Sequence, residues 1–176
     1  MTAPNPYAAP SAAVEDIAPD ASNPQNLEYA GFWIRAWASV IDTVLILLVT
    51  TPLLIAVYGF AYYTGGKEGI IAGPADLLIS YVGPAAATIA FWILRQATPG
   101  KIVVGARVVN ARTGEPIGTG QSIVRYLGYY LSLLPLGLGF LWVAWDPRKQ
   151  GWHDKLAGTV VVRTKRVEAS RQVKFG

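Results

Sequence analysis

The sequence predicts an α-helical membrane protein with two full transmembrane helices, a broken third apolar segment and a small cytoplasmic β-sheet. Of its 176 residues, 52% are hydrophobic and 15% are charged, a balance too apolar for an ordinary soluble domain. Two uncharged runs are long enough, as helices, to cross a hydrocarbon core of about 30 Å. Short β-branched runs bounded by glycine in the second half are typical of strands.

The N-terminal part contains no run that could bury a core. Residues 1–26 are rich in proline, alanine, serine and asparagine, which predicts a disordered tail. The start, MTAPNPYAAPSAA, lacks the basic residues and the apolar stretch of a signal peptide, so no cleavage is expected. A membrane domain is expected over residues 27–163, followed by a basic tail over residues 164–176.

The first two apolar segments predict transmembrane helices. The first covers about residues 38–63, and its helix is expected to start near Ala36, or as an interfacial stretch near Leu27 where aromatic residues cluster. The second covers about residues 77–95, at the short end of spanning length.

The third apolar segment, about residues 126–145, is interrupted by Pro135, Gly137 and Gly139, so two topologies compete. If the segment crosses the membrane, the basic stretches before and after it lie on opposite sides, against the positive-inside rule. If it folds back as a re-entrant hairpin, both stretches stay cytoplasmic and Lys67 alone among lysines and arginines lies outside. The charges favour the hairpin.

Two runs read as strands: Lys101–Val109 and Thr159–Arg163. Strands pair in one compartment, which again favours the hairpin. The TPGK sequence before the first run lacks the spaced glycines of a phosphate-binding loop, so we expect a tight turn with Lys101 near the headgroups.

Two charged residues lie in the first apolar helix. Arg35 and Asp42 are seven residues apart, which places them on one helix face. A carboxylate at depth must be paired, protonated or hydrated. Asp42 is therefore either a proton or cation site or part of an ion pair that locks helices together, and the ion pair needs fewer assumptions because Arg35 is close enough to the interface to complete it.

A polar stretch, residues 145–159, follows the third apolar segment. Asp154 in this stretch could reach Arg35, producing one arginine between two carboxylates. His153 could relay protons near neutral pH, but a plain hydrogen-bonding role is the commoner one for a lone histidine.

Composition excludes several classes of function. The chain has no cysteine and one histidine, so no cofactor, thiolate metal site or catalytic centre is expected, and we predict that it is not an enzyme. The net charge of +4 comes from basic residues that flank apolar segments, where anionic lipid headgroups account for them better than nucleic acid does.

Four blocks occur in order along the chain: AGFWIRAWASVID, TPGKIVVGARVV, LPLGLGFLW and DPRKQGWHDKLAGTVVV. In this order and spacing they resemble the RDD family of small membrane proteins, over about residues 29–163. The family is named for an arginine and two aspartates, which the resemblance places at Arg35, Asp42 and Asp154, with Asp146 as the rival for the second aspartate.

The resemblance implies little about activity, although a few relatives have been linked to sodium or lithium export against protons. We expect a scaffold or accessory subunit of a membrane complex, because so small a chain encloses little volume for transport. The alternative is a cation (Na⁺/Li⁺)/proton antiporter that acts as a homo-oligomer, with Asp42 as the carrier. The expected location is the plasma membrane, with multiple passes and both termini cytoplasmic.

Overall fold

The fold is known from a computed structural model that describes residues 27–65 and 69–164. The tail predicted over residues 1–26, Lys67 and the basic tail beyond residue 164 lie outside the described residues. In chain order the elements are β1 (Leu27–Tyr29), α1 (Phe32–Tyr58), α2 (Ala61–Thr64), α3 (Pro74–Arg95), α4 (Pro99–Val103), β2 (Ala106–Asn110), α5 (Thr119–Leu133), α6 (Leu138–Ala144), α7 (Trp152–Ala157) and β3 (Thr159–Thr164).

Helices α1 and α3 are both long and apolar enough to cross a membrane, with 27 and 22 residues. Their apolar side chains are mostly exposed, as expected for helices whose solvent is lipid. The prediction of two long apolar helices is confirmed. Helix α1 begins at Phe32, so neither expected start is correct, and Leu27 belongs instead to strand β1.

The third apolar segment is broken where the sequence predicts. The helix axis bends by 113° between α5 and α6, across a short break. Leu136 and Gly137 in this break have positive φ angles of 54° and 79°, a conformation that glycine adopts at no steric cost. Helix α6 folds back closely, because a Cβ atom on Gly139 would lie 2.5 Å from Ser132 Cα.

The three strands form one antiparallel sheet in the order β1-β3-β2. Strand β3 confirms the predicted run Thr159–Arg163. The predicted strand Lys101–Val109 is wrong in its first half, which forms α4, and the expected tight turn at TPGK is the start of that helix, with Pro99 in its first turn. Lys101 is accordingly buried.

A small core joins the sheet to the helices. Trp92 near the end of α3 is fully buried against Val108 of β2 and Val161 of β3. The backbone N–H of Val108 donates to the carbonyl of Gln96, which directly follows α3. The sheet therefore lies at the end of the bundle where α1 begins and α3 ends.

Candidate functional site

Asp154, fully buried at the start of α7, is the centre of a charge cluster with Arg35 and Arg125, which we call the Asp154 cluster. Its Oδ2 accepts a hydrogen bond from Arg35 Nη1 at 2.5 Å and another from the backbone N–H of Gly151 at 3.0 Å. Its Oδ1 forms an ion pair with Arg125 Nη1. One carboxylate thus binds two guanidinium groups and also caps its own helix.

Arg35, in the first turns of α1, uses all three of its guanidinium nitrogens. Besides its bond to Asp154, Nε donates to the carbonyl of Ala30 at 3.0 Å and Nη2 donates to the carbonyl of Lys149 at 2.6 Å. The planar guanidinium group of Arg35 therefore connects three segments: the residues between β1 and α1, the loop before α7, and α7 itself.

Arg125 approaches Asp154 from α5 and is almost fully buried. Its Nη1 donates to Thr159 Oγ1 at 2.6 Å, and its guanidinium carbon lies 5.2 Å from the centre of the Trp92 ring. Gly128, one turn further along α5, permits this approach, because a Cβ there would lie 2.8 Å from His153 Cα.

The two arginines decide the protonation state of Asp154. Burial opposes ionisation, but the charges of Arg125 and Arg35 outweigh it and hold the pKa of the Asp154 carboxyl well below its usual range. The residue is an anion at neutral pH, and the cluster carries one negative and two positive charges.

His153 is neutral at physiological pH, because burial lowers the pKa of its imidazole to about 3 against the opposing charge of Asp154. Its backbone N–H donates to Ser132 Oγ at 3.2 Å, and its Nδ1 lies 3.2 Å from the same oxygen. The serine proton is then available for Nδ1, which places the ring proton on Nε2, 3.5 Å from Asp154. This geometry favours the hydrogen-bonding interpretation of His153 over a proton relay.

Asp42 lies apart from the two arginines. Its Oδ2 accepts a hydrogen bond from Thr98 Oγ1 at 2.5 Å and its Oδ1 accepts one from the backbone N–H of Gly100 at 2.7 Å. Asp42 therefore fixes the start of α4 against α1. The expected arrangement of one arginine between two carboxylates is not the one observed, because Asp154 lies between two arginines and the hydrogen bonds of Asp42 go to the start of α4 instead.

Asp146 closes the loop before α7. Its Oδ1 accepts hydrogen bonds from the backbone N–H groups of Arg148 at 2.9 Å and Gln150 at 3.3 Å, and its Oδ2 pairs with Lys155. Burial opposes ionisation of Asp146, but these donors outweigh it and lower its pKa. The contacts described for Asp146 include neither of the clustered arginines.

Sequence reasoning did not single out Arg125, although a signal was present. The buried residues of α5 recur at spacings of three and four, which marks one small and polar helix face pointing inward: Ser122, Arg125, Gly128 and Ser132. Within residues 27–65 and 69–164, no group of three or more histidine, cysteine or acidic side chains could hold a metal ion.

The sequence profile of the RDD family matches residues 29–158, a range that contains the Asp154 cluster, Asp42 and Asp146. The chain belongs to the RDD family. The RDD protein is 31% identical over 156 residues to a Bacillus subtilis protein named "Uncharacterized membrane protein YteJ", covering 83% of this chain and 91% of that one. It is 29% identical over 151 residues to the B. subtilis "Uncharacterized protein YxaI", covering 76% and 96% of the two chains.

A shorter match joins the RDD protein to the "Proline-rich antigen homolog" of Mycobacterium tuberculosis, with 41% identity over 63 residues. This match covers 36% of the chain and 26% of the mycobacterial protein, so the two share about a quarter of the latter's length. No solved structure matches the chain. The relatives support an integral membrane protein and name no reaction.

Proposed function

We propose that this RDD protein is a non-enzymatic scaffold or accessory subunit of a membrane complex, in which the Asp154 cluster fixes the sheet to the transmembrane helices. The observation that carries the proposal is that Asp154 binds Arg35 and Arg125 from two distant helices and also caps its own helix through Gly151. A buried carboxylate compensated in this way stabilises one arrangement of its elements. A transport site would need a carboxylate that can exchange its partners.

The proposed topology places the sheet in the cytoplasm beneath the plasma membrane, with α5 and α6 as a re-entrant hairpin. Strand β2 precedes this hairpin and β3 follows it, and the two strands pair along their length. Paired strands share one compartment, which argues against a single crossing between them. Every lysine and arginine in the described ranges lies toward the sheet, in agreement with the positive-inside rule. Both termini would then be cytoplasmic.

Cysteine labelling tests this topology directly, because the chain contains no cysteine of its own. Thr113→Cys in the exposed loop after β2 and Leu156→Cys on α7 are expected to react with a membrane-impermeant maleimide from the same side. Ile70→Cys, exposed at the other end of the spans, is the matched control and should react from the opposite side. Reaction of the first two cysteines from opposite sides would show that the third apolar segment crosses the membrane.

The scaffold role is tested by purifying the tagged protein from native membranes in a mild detergent and in lipid nanodiscs. A different protein present in a fixed ratio in both preparations is expected, because a homo-oligomer alone fits the antiporter alternative equally well. A monomer without a stoichiometric partner in both would contradict the proposal.

The antiporter alternative has no supporting observation. Both oxygens of Asp42, the carrier in that interpretation, accept hydrogen bonds from α4 and the residue before it. The decisive measurement is sodium or lithium flux into proteoliposomes against a proton gradient. We expect no flux above that of empty vesicles. Flux in the native protein that is lost in Asp42→Asn would show that the protein is a transporter and would contradict the scaffold proposal.

A further inference from the structure

A cavity of about 440 Å³ beside the Asp154 cluster is lined by three cationic side chains. They come from three helices: Arg35 from α1, Lys101 from α4 and Arg125 from α5. Among the residues that the structure describes, no carboxylate lines this cavity. We call it the basic cavity.

The positive charges around the basic cavity outnumber the negative charges next to it. Asp154 serves both Arg35 and Arg125. Lys101 is joined to Asp42 indirectly, through the hydroxyl of Thr98. Three cations therefore face two carboxylates, and an excess buried charge is costly without a counterion.

Hydrogen-bond donors at the cavity are also left over. Lys101 is 7% exposed, and its ammonium group donates one hydrogen bond, to Thr98 Oγ1 at 3.3 Å, among the contacts described. An ammonium group has three such donors. The Tyr129 hydroxyl approaches Arg125, but the buried Nε–H of Arg125 finds no aligned acceptor within the described part of the chain. The Lys101 ammonium group can donate to an anion placed in the cavity, and Arg125 contributes its positive charge as a lining residue, although its Nε–H is itself enclosed.

The basic cavity continues into a mostly apolar cleft of about 670 Å³ between α1 and α3, whose lining also includes Asp42. Ser39, Lys101 and Tyr129 line both spaces. On α1 the cleft extends from Ser39 to Leu53, about 21 Å at 1.5 Å per residue. This length exceeds half of a hydrocarbon core of about 30 Å, the depth that one leaflet provides.

We propose that the basic cavity and the cleft together bind one anionic phospholipid, with its phosphate at Lys101 and Arg125 and an acyl chain between α1 and α3. A phosphate accepts several charge-assisted hydrogen bonds and supplies the missing negative charge. A second copy of the chain suits the cleft less well, because an apolar helix would cover the surplus donors without satisfying them. The lipid site goes beyond the scaffold role and does not depend on it.

Native mass spectrometry of the full-length protein tests the site with three probes: phosphatidylglycerol, phosphatidylcholine with the same acyl chains, and glycerol phosphate, which has no chains. We expect one phosphatidylglycerol per chain, bound at least tenfold more tightly than phosphatidylcholine. Equal affinity for the two lipids would overturn the charge argument. Glycerol phosphate that binds as tightly as the lipid would show a site for a free anion and would overturn the lipid assignment.

Two pairs of variants test the two ends of the site. Lys101→Met should lower the affinity for phosphatidylglycerol at least tenfold, because it removes a charge-assisted donor, while Lys155→Met outside the cavity should leave it unchanged. Ala87→Trp fills the cleft and should also cost at least tenfold, whereas Ala90→Trp on the same helix lies outside the cleft lining.

The cleft variants keep the proposal testable even if Lys101→Met fails to fold, because Ala87 is exposed toward lipid. Unchanged lipid affinity in Ala87→Trp would overturn the assignment of the acyl chain. A dimer in the native protein that dissociates in Ala87→Trp would show instead that a second copy occupies the cleft.

Discussion

Replacing Asp154 with asparagine is the sharpest test of the charge cluster, because the substitution keeps the shape of the side chain and removes its charge. Arg35 and Arg125 would then face a neutral amide at the site where they now share an anion. Arg125 is only 1% exposed, so its charge has little contact with water. The variant therefore leaves buried positive charge uncompensated, the situation in which breaking an ion pair is most destabilising.

The expected loss follows from the burial of the pair. Removing one partner of a buried ion pair costs about 3–5 kcal/mol, against a total unfolding free energy of roughly 5–15 kcal/mol for a protein domain. For a chain of this size, 1 kcal/mol corresponds to about 2–4 °C, so Asp154→Asn should melt roughly 6–20 °C below the native protein. Tryptophan fluorescence during heating in detergent, with size-exclusion chromatography of the heated sample, measures this shift.

Glu28→Gln is the matched control, since it also converts a carboxylate paired with an arginine into an amide. The Glu28–Arg163 pair lies on the sheet with side chains 37% and 34% exposed, so its loss should cost no more than about 1 kcal/mol. If Asp154→Asn and Glu28→Gln melt within 2 °C of each other, the cluster does not hold the elements together and the reasoning fails.

Two further changes have defined outcomes. The folded-state pKa of His153 is about 3, below the ordinary 6.5, so the unfolded state binds more protons between these values and stability should fall as the pH drops from about 6.5 toward 4. The slope is at most about 1.4 kcal/mol per pH unit, and melting curves of His153→Asn should lack it. Gly100→Ala should cost about 1–3 kcal/mol, because its Cβ would lie 2.1 Å from the carbonyl oxygen of Ala38, while Gly120→Ala, with open space around it, should be neutral or slightly stabilising.

Each of these two predictions has an outcome that contradicts it. Asp154 does not account for a difference between the native protein and His153→Asn, because it is present in both and, with its pKa lowered, affects stability only below about pH 5. An unchanged pH slope in His153→Asn would therefore show that His153 is not buried in its neutral form. Equal melting temperatures for Gly100→Ala and Gly120→Ala would show that α4 does not approach α1 as closely as the structure indicates.

The features that depend on local composition could be predicted from the sequence. The two apolar helices follow from uncharged runs on the scale of the bilayer, and the break after α5 follows from Pro135 and Gly137, whose backbone preferences interrupt a helix. Strand β3 likewise has a β-branched composition and a glycine directly before it.

The features that depend on distant contacts could not be predicted. Residues 101–103 are predicted from their sequence to start a strand, but Pro99 begins a helix there and Asp42, far away in the sequence, accepts the N–H of Gly100. Arg125 pairs with Asp154 because α5 packs against α7, a contact between segments far apart in the sequence. Regular spacing marked the inward face of α5, but spacing alone does not identify a partner across the chain.

Strand β3 occupies the centre of the sheet although it is the last of the three strands to leave the ribosome. Strand β1 precedes both long apolar helices, and its hydrogen-bonding partner is synthesised only after both of them. The sheet therefore closes as a late step, through contacts of long sequence separation, which makes it slower than the formation of the helices. Until that step, two strand edges stay open to chaperones, proteases and neighbouring chains.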